Sequence, residues 1–235
     1  MMAAYFLLVR PELQRYATAW REHCIRTFCA RCFDVTEYRY KGNAEALGLR
    51  GDALLPFGSD RGLMARNIVQ GSRGRVDALV CDVTMPVAEP SGLRFRSGCW
   101  MRFSFPEMPC APLRVVKGSV MPGDGYERYL MRDEALKPCR PPDGTPEYIR
   151  YFSPSGEYAL SPSVQEKLTV LLRNTPGAAI LQLDGNRLLA QFPHRLLNVA
   201  PPALKRPLTP ELLNAVTFPE MEDAFALARA MKKAK

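Results

Sequence analysis

Apolar positions between residues 11 and 31 recur at steps of three and four: Leu13, Tyr16, Ala17, Trp20, Cys24 and Phe28. That spacing predicts a helix with one apolar stripe. Pro11 suits its first turn, and Glu12 complements its dipole. Arg15, Arg21, Arg26 and Arg31 fall outside the stripe and are expected in solvent. FDVTEYRY at 33–40 is rich in aromatic and β-branched residues and predicts a strand. Alternation places Tyr38 and Tyr40 on one of its faces and Arg39 and Lys41 on the other. Ala44–Leu49 is read as a short helix.

The middle of the chain changes period. QGSRGR at 70–75 reads as a turn between the strands RNIVQ and VDALVCDVTM. The second of these is apolar at Leu79, Val80, Cys81 and Val83, as expected of a strand covered on both faces. Cys99, Met101, Phe103 and Phe105 alternate with Trp100, Arg102 and Ser104, a period of two that predicts one buried face. PLRVVKG at 112–118 and YERYLM at 126–131 are further strand candidates. KPCRPPDGTP at 137–146 reads as a loop, because its prolines cannot donate to a ladder.

Toward the C-terminus, EYIRYF at 147–152 predicts a strand. Ser161 caps a helix with Pro162 at its first position, and Val164, Leu168, Leu171 and Leu172 form its apolar face. Asn174-Thr175-Pro176 ends that helix. AAILQLDGNRLLAQF predicts a hairpin turning at Asp184-Gly185. Ala179, Leu181 and Leu183 share one face of its first arm, and Leu188, Ala190 and Phe192 one face of its second. NVAPPALKRPL at 198–208 is an extended linker, Thr209-Pro210 starts a short helix, and a last helix from Pro219 buries Met221, Phe225, Ala228 and Met231.

These elements predict an α+β fold. Its sheet is antiparallel or mixed, helices lie at both ends of the chain, and the C-terminal unit is strand–helix–hairpin–helix. Residues 1–235 are read as one α+β domain, with the loop 137–146 as the place where a subdomain boundary would fall.

Composition adds little to that picture. The fractions of apolar and charged residues are those of a folded globular chain. The formal net charge of +8 falls mostly in the first half and permits attraction to nucleic acid or anionic lipid, although no long basic run occurs. MMAAYFLLV is far shorter than the roughly 20 residues that span a bilayer. It also lacks the flanks of a secretory signal, so it is read as a strand, or a strand entering the first helix, and the protein as cytoplasmic. In a reducing compartment the seven cysteines are expected as thiols.

The most chemical-looking stretch is HCIRTFCARCF at 23–33, with Cys29-x-x-Cys32. A structural zinc site would need a second ligand pair. Here Cys81, Cys99, Cys110 and Cys139 stand alone, and His194 is the only other histidine. A redox pair of the thioredoxin kind sits at a helix N-terminus, where the dipole favours thiolate. Cys29 and Cys32 fall at the opposite end of the predicted helix. Ile25, Cys29 and Cys32 continue a helical spacing, so the simplest expectation is that they widen the apolar face. The pair Cys29/Cys32 as a redox or metal site is the alternative.

Other constellations are missing. There is no Gly-x-Ser-x-Gly elbow, no phosphate-binding loop and no dinucleotide turn. Glu220, Glu222 and Asp223 start a helix, where carboxylates complement the dipole. Tyr38–Lys41 and Arg94-Phe95-Arg96 come nearest to a base-stacking platform, but alternation sends their aromatic and basic side chains to different faces. No catalytic, cofactor-binding or metal residue is therefore assigned, and the reading leans away from an enzyme.

The order of features is similar to an uncharacterised bacterial domain family, often tethered by transmembrane helices. The likeness is carried by the first helix, FDVTEYRY, the glycine turn before the long strand at 69–83, RFSFPEMPCAPLRVVKG, and EYIRYFSPSGEYALSPSVQEKLTVLL with the hairpin after it. It spans about residues 12–230 and implies one compact α+β unit. It implies no activity and no functional residue. The leading expectation is a non-catalytic cytoplasmic binding or scaffolding domain with a protein partner. The alternatives are the Cys29/Cys32 thiol protein and a weak binder of anionic polymer or lipid.

Overall fold

The computed structural model describes residues 10–49, 51–52, 54, 62–89, 92–106, 110–118, 136–202 and 209–233. The expected strand at 126–131, the stretch MMAAYFLLV and residues 203–208 of the expected linker lie outside the described residues. Helix α1 (Arg10–Cys32) leads into strand β1 (Asp34–Asn43). The long meander β2 (Met64–Arg73), β3 (Val76–Glu89) and β4 (Gly92–Ser104) follows. Next come β5 (Cys110–Lys117), the short β6 (Lys137–Cys139), β7 (Ile149–Ser153) and helix α2 (Pro162–Asn174). The hairpin β8 (Ala179–Gly185) and β9 (Arg187–Phe192) precedes helices α3 (Pro210–Asn214) and α4 (Pro219–Lys233).

Among the described residues the strands form one nine-stranded sheet in the order β1-β2-β3-β4-β9-β8-β5-β7-β6. Every pairing is antiparallel. The α+β class read from the sequence is the one observed. The hairpin β8–β9 wedges between β4 and β5, which are neighbours in sequence, and so joins the two halves of the sheet. Both arms can do this because they bury both faces: Leu181, Leu183, Leu188 and Ala190 meet the helices, while Ile180 and Leu189 meet the opposite side.

The long helices of the described residues, α1, α2 and α4, lie on one face. Phe28 and Cys29 of α1, Leu168 and Leu172 of α2, and Met221 and Phe225 of α4 share a core with Met101, Phe103, Val115 and Tyr151 of the sheet. Phe225 stacks on Phe33 at 4.7 Å between ring centroids and meets Phe103 edge-on at 4.8 Å. The caps read from sequence are in place. Ser161 Oγ accepts from Val164 N at 3.4 Å, and Thr209 Oγ1 accepts from Leu212 N at 3.3 Å. In α1 the burial begins at Trp20, whereas Leu13, Tyr16 and Ala17 are only half-buried.

Three local readings are corrected. Ala44–Leu49 forms consecutive turns rather than a helix. Asn43 Oδ1 accepts from Glu45 N and Ala46 N at 2.8 and 3.4 Å as a helix cap does, and Leu47 N donates to Asn43 O at 3.2 Å, but Gly48 with φ of 67° closes the segment after that single helical bond, with Leu49 N donating to Ala44 O at 3.0 Å. The hairpin turns at Gly185-Asn186, one residue later than expected, because Asp184 pairs with Arg187 and the positive φ of 57° falls on Gly185. Lys137–Cys139, expected in a loop, is the outermost strand beyond β7 among the described residues, and Pro138 is tolerated in it because an edge strand needs to pair on one side only.

The other face of the sheet is covered only in part. Leu47, Leu49 and Leu54, from the stretch after β1, bury against Ile68, Leu79, Trp100 and Leu189 in two small apolar clusters.

Candidate functional site

The pair that looked most chemical lies in the core. Cys29 is fully buried and Cys32 is 7 % exposed, both on the side of α1 that meets the sheet and α4. Burial pushes both thiols up, and for Cys29 the neighbouring Cys32 adds to the effect. Neither is poised as a thiolate. Arg73 Nη1 donates to the carbonyl oxygens of Arg31 and Cys32 at 3.0 and 3.1 Å, so a guanidinium satisfies the end of α1. Six described cysteines, Cys24, Cys29, Cys32, Cys81, Cys99 and Cys139, are free and buried. Among the described residues no group of three or more His, Cys, Asp or Glu is arranged to hold a metal ion.

The two histidines are far apart in role. His23 is exposed on α1. His194 follows β9, with Nε2 3.6 Å from Glu220 Oε1 at the start of α4. Next to it lies a buried polar chain that the sequence reading did not single out. Tyr38 Oη donates to Asn67 Oδ1 at 3.2 Å, and Asn67 Nδ2 donates to Asp82 Oδ2 at 2.9 Å. Asp82 Oδ1 accepts from Leu197 N at 3.2 Å. Asn67 sits at a bulge in β2 with φ of 49°, which turns its amide toward β3. The chain fixes the segment after β9 to the sheet, and Arg195 Nη2 helps by donating to Thr84 Oγ1 at 2.8 Å.

The partly covered sheet face carries the other polar constellation. Asp52, 4 % exposed, is held by two arginines from different strands. Its Oδ2 lies 2.5 Å from Arg102 Nη1 on β4, and its Oδ1 3.3 Å from Arg187 Nη1 on β9. Gln191 reads the backbone on either side: its Nε2 donates to Asp52 O at 2.6 Å and its Oε1 accepts from Leu54 N at 3.0 Å. Alternation explains the placement. Arg102, Arg187 and Gln191 occupy the strand positions between those that face the helices.

Beside this clamp a groove of about 380 Å³ runs across β1 to β4, lined by Thr36, Gln70, Ser72, Asp77, Arg102 and Ser104 over a floor of Ala78 and Leu79. It is bordered by β1, the first strand in the sheet order. Its lining is hydroxyl, amide, one carboxylate and one guanidinium, which suits hydrogen bonding to an extended polar chain and offers no poised nucleophile. Arg102 was legible only as the polar half of an alternating strand, and Asp52 carried no signal beyond being an acid among apolar residues.

The fold and this face define a class: an open antiparallel sheet packed by helices on one side and strapped on the other. No protein-family model, curated protein or solved structure matches the chain. No helix among the described residues is long and apolar enough to cross a membrane.

Proposed function

We propose that the protein is a non-catalytic binding module of the cytoplasm, and that it takes an extended segment of a partner protein along β1 and the adjoining groove. The observation that carries this reading is the contrast between the two edges of the sheet. Among the described residues the edge at β6 is three residues long and contains Pro138, a combination that resists further pairing. The edge at β1 is ten residues long, contains no proline, and has no further strand outside it among the described residues. Glu37, Arg39 and Lys41 mark this strand with charge, which opposes flat pairing between identical copies and leaves a charge-matched partner favoured. A strand added there gains main-chain hydrogen bonds, while its alternate side chains on the groove side come nearest to Thr36 of β1 and to Gln70 and Ser72 of β2. The free cysteines support a reducing compartment.

The test is site-specific photocrosslinking in cells from position 36, with position 166 on α2 as the control. The expected result is a discrete adduct from position 36 that disappears when Ser72→Trp fills the groove. No adduct from position 36, or equal yield from position 166, would overturn the reading.

A further inference from the structure

We infer that the cleft between β6, the segment 156–160 and the start of α2 binds a flat, neutral nitrogen heterocycle carrying N–H donors, with Tyr158 as its stacking wall and Gln165 as its polar anchor. The cleft measures about 720 Å³. Small-ligand sites are usually of roughly 300–1,000 Å³. It lies beside β6, at the other end of the described sheet from β1, and shares no lining residue with the groove on β1 to β4.

Three walls are each fixed by local chemistry. Past Cys139 the chain leaves the β6–β7 ladder, and Pro141 and Pro142, which have no N–H to donate, belong to the first wall. Thr145 N donates to Pro142 O at 3.1 Å and closes that turn. The second wall is held by two serines. Ser153 Oγ and Ser155 Oγ donate to Glu157 O at 2.7 and 2.9 Å, and Gly156 N donates to Ser153 Oγ at 3.0 Å. The third is the beginning of α2, where Ser161 caps the helix. Walls fastened in this way lower the ordering cost of binding.

The lining sets the class of ligand. Tyr158 stacks on the buried Tyr151, with 5.2 Å between ring centroids and 15° between planes, so the core takes one face of it. Tyr158 lines the cleft and Tyr151 does not. The half-buried Tyr158 ring therefore has surface left for a further ring on the cleft side. Burial pushes its hydroxyl up to about 12, so the phenol is neutral. The polar side chains left over are acceptors. Arg140 and Asp143 pair with each other at 3.4 Å, and the Cys139 thiol donates to Ser153 Oγ at 3.3 Å. Gln165 Nε2 is turned to Tyr151 Oη and Thr169 Oγ1 at 3.5 and 3.4 Å, and its Oε1 has no partner among the described residues. Glu157, also in the lining, carries a carboxylate. Unused acceptors call for N–H donors on the ligand, and the carboxylate disfavours an anion.

The experiment titrates the isotope-labelled full chain with adenine, benzoate and cyclohexanol and follows amide and aromatic NMR shifts. Adenine should bind with a dissociation constant on the order of 1 mM, moving the signals of Tyr158, Leu160 and Gln165. Benzoate is flat but anionic, and cyclohexanol is a donor that is not flat; both should bind about tenfold more weakly or worse. Tyr158→Leu should weaken adenine about tenfold, by removing the stacking wall. Gln165→Leu should weaken it about threefold, by removing one acceptor. If Tyr158→Leu does not fold, Gln165→Leu and the ranking of the three probes decide. The proposal is overturned by no shift at Tyr158 up to about 5 mM adenine, by shifts that centre on Gln70 and Ser72 instead, by benzoate or cyclohexanol binding as tightly as adenine, or by full affinity in either folded variant.

Discussion

Asp52 and Arg102 are 50 residues apart in sequence and 2.5 Å apart at Oδ2 and Nη1, across the less covered face of the sheet. This contact, with Arg187 on the other carboxylate oxygen, fixes the stretch after β1 over β3, β4 and β9. Asp52→Ala should destabilise the protein by about 2 kcal/mol. Loss of a buried partner in an ion pair costs more than that, but the side chains of Arg102 and Arg187 are 27 % and 42 % exposed and can recover water. Urea unfolding monitored by tryptophan fluorescence measures the difference, and a double-mutant cycle with Arg102→Met should recover most of it as coupling. Additive single effects would show that the contact holds nothing down.

The sheet and its faces were legible because burial leaves a periodic trace. Met101, Phe103 and Phe105 against Trp100, Arg102 and Ser104 is the pattern of a strand with one face toward helices. The hairpin faces at 179–192 and the stripe of α4 were equally plain. What was not legible depends on contacts between distant segments. Asp52 is meaningful only because β4 and β9 are adjacent, and nothing local to residue 52 records that. Asn67 and Asp82 look like polar interruptions of strands until the bulge at Asn67 brings them together. The Cys29/Cys32 spacing drew attention for its chemistry, yet helix geometry turns both residues inward.

Those cysteines should behave as small apolar side chains. In native buffer at pH 8, Cys29 and Cys32 should resist alkylation, because burial holds both thiols protonated and out of reach. Under increasing urea their labelling rate should rise in step with the unfolded fraction. Mass spectrometry of labelled peptides reads each site. Fast labelling of either residue in the folded state would restore a thiol function to the pair.

Two glycines of the same turn motif should respond differently to alanine. Gly71 is packed so closely that a Cβ would overlap the Asp34 carbonyl oxygen and the Phe33 ring. Neither neighbour is a flexible tip, so Gly71→Ala should cost about 2–3 kcal/mol. Gly74 has φ of 55°, and its nearest neighbour is the mobile Lys232 ammonium. Gly74→Ala should cost only about 1 kcal/mol, the strain of a left-handed alanine. Thermal melts of both variants decide this, and an equal loss would mean that the close approach of β1 to β2 at Gly71 is not maintained in solution.

The buried chain from Tyr38 to Asp82 makes a prediction about pH. Asp82 has its carboxyl raised by burial, an effect only partly offset by hydrogen bonds from Asn67 and the Leu197 backbone. A raised folded value means that the native protein holds this proton after the unfolded chain has released it. Stability attributable to Asp82 is therefore greatest below the unfolded value, and it falls as pH rises through the raised folded value. Asp82→Asn removes the titration and replaces two acceptor oxygens with one. Either Asn67 Nδ2 or Leu197 N then faces another donor, at a cost of about 1–3 kcal/mol. The difference in stability between parent and variant should accordingly be largest in acid and shrink toward neutral pH. Urea midpoints of both proteins at matched ionic strength, from pH 4 to pH 7, measure it. A difference that grows as pH rises would mean that the ionised carboxylate is the form the fold prefers, and that its two hydrogen bonds outweigh its burial.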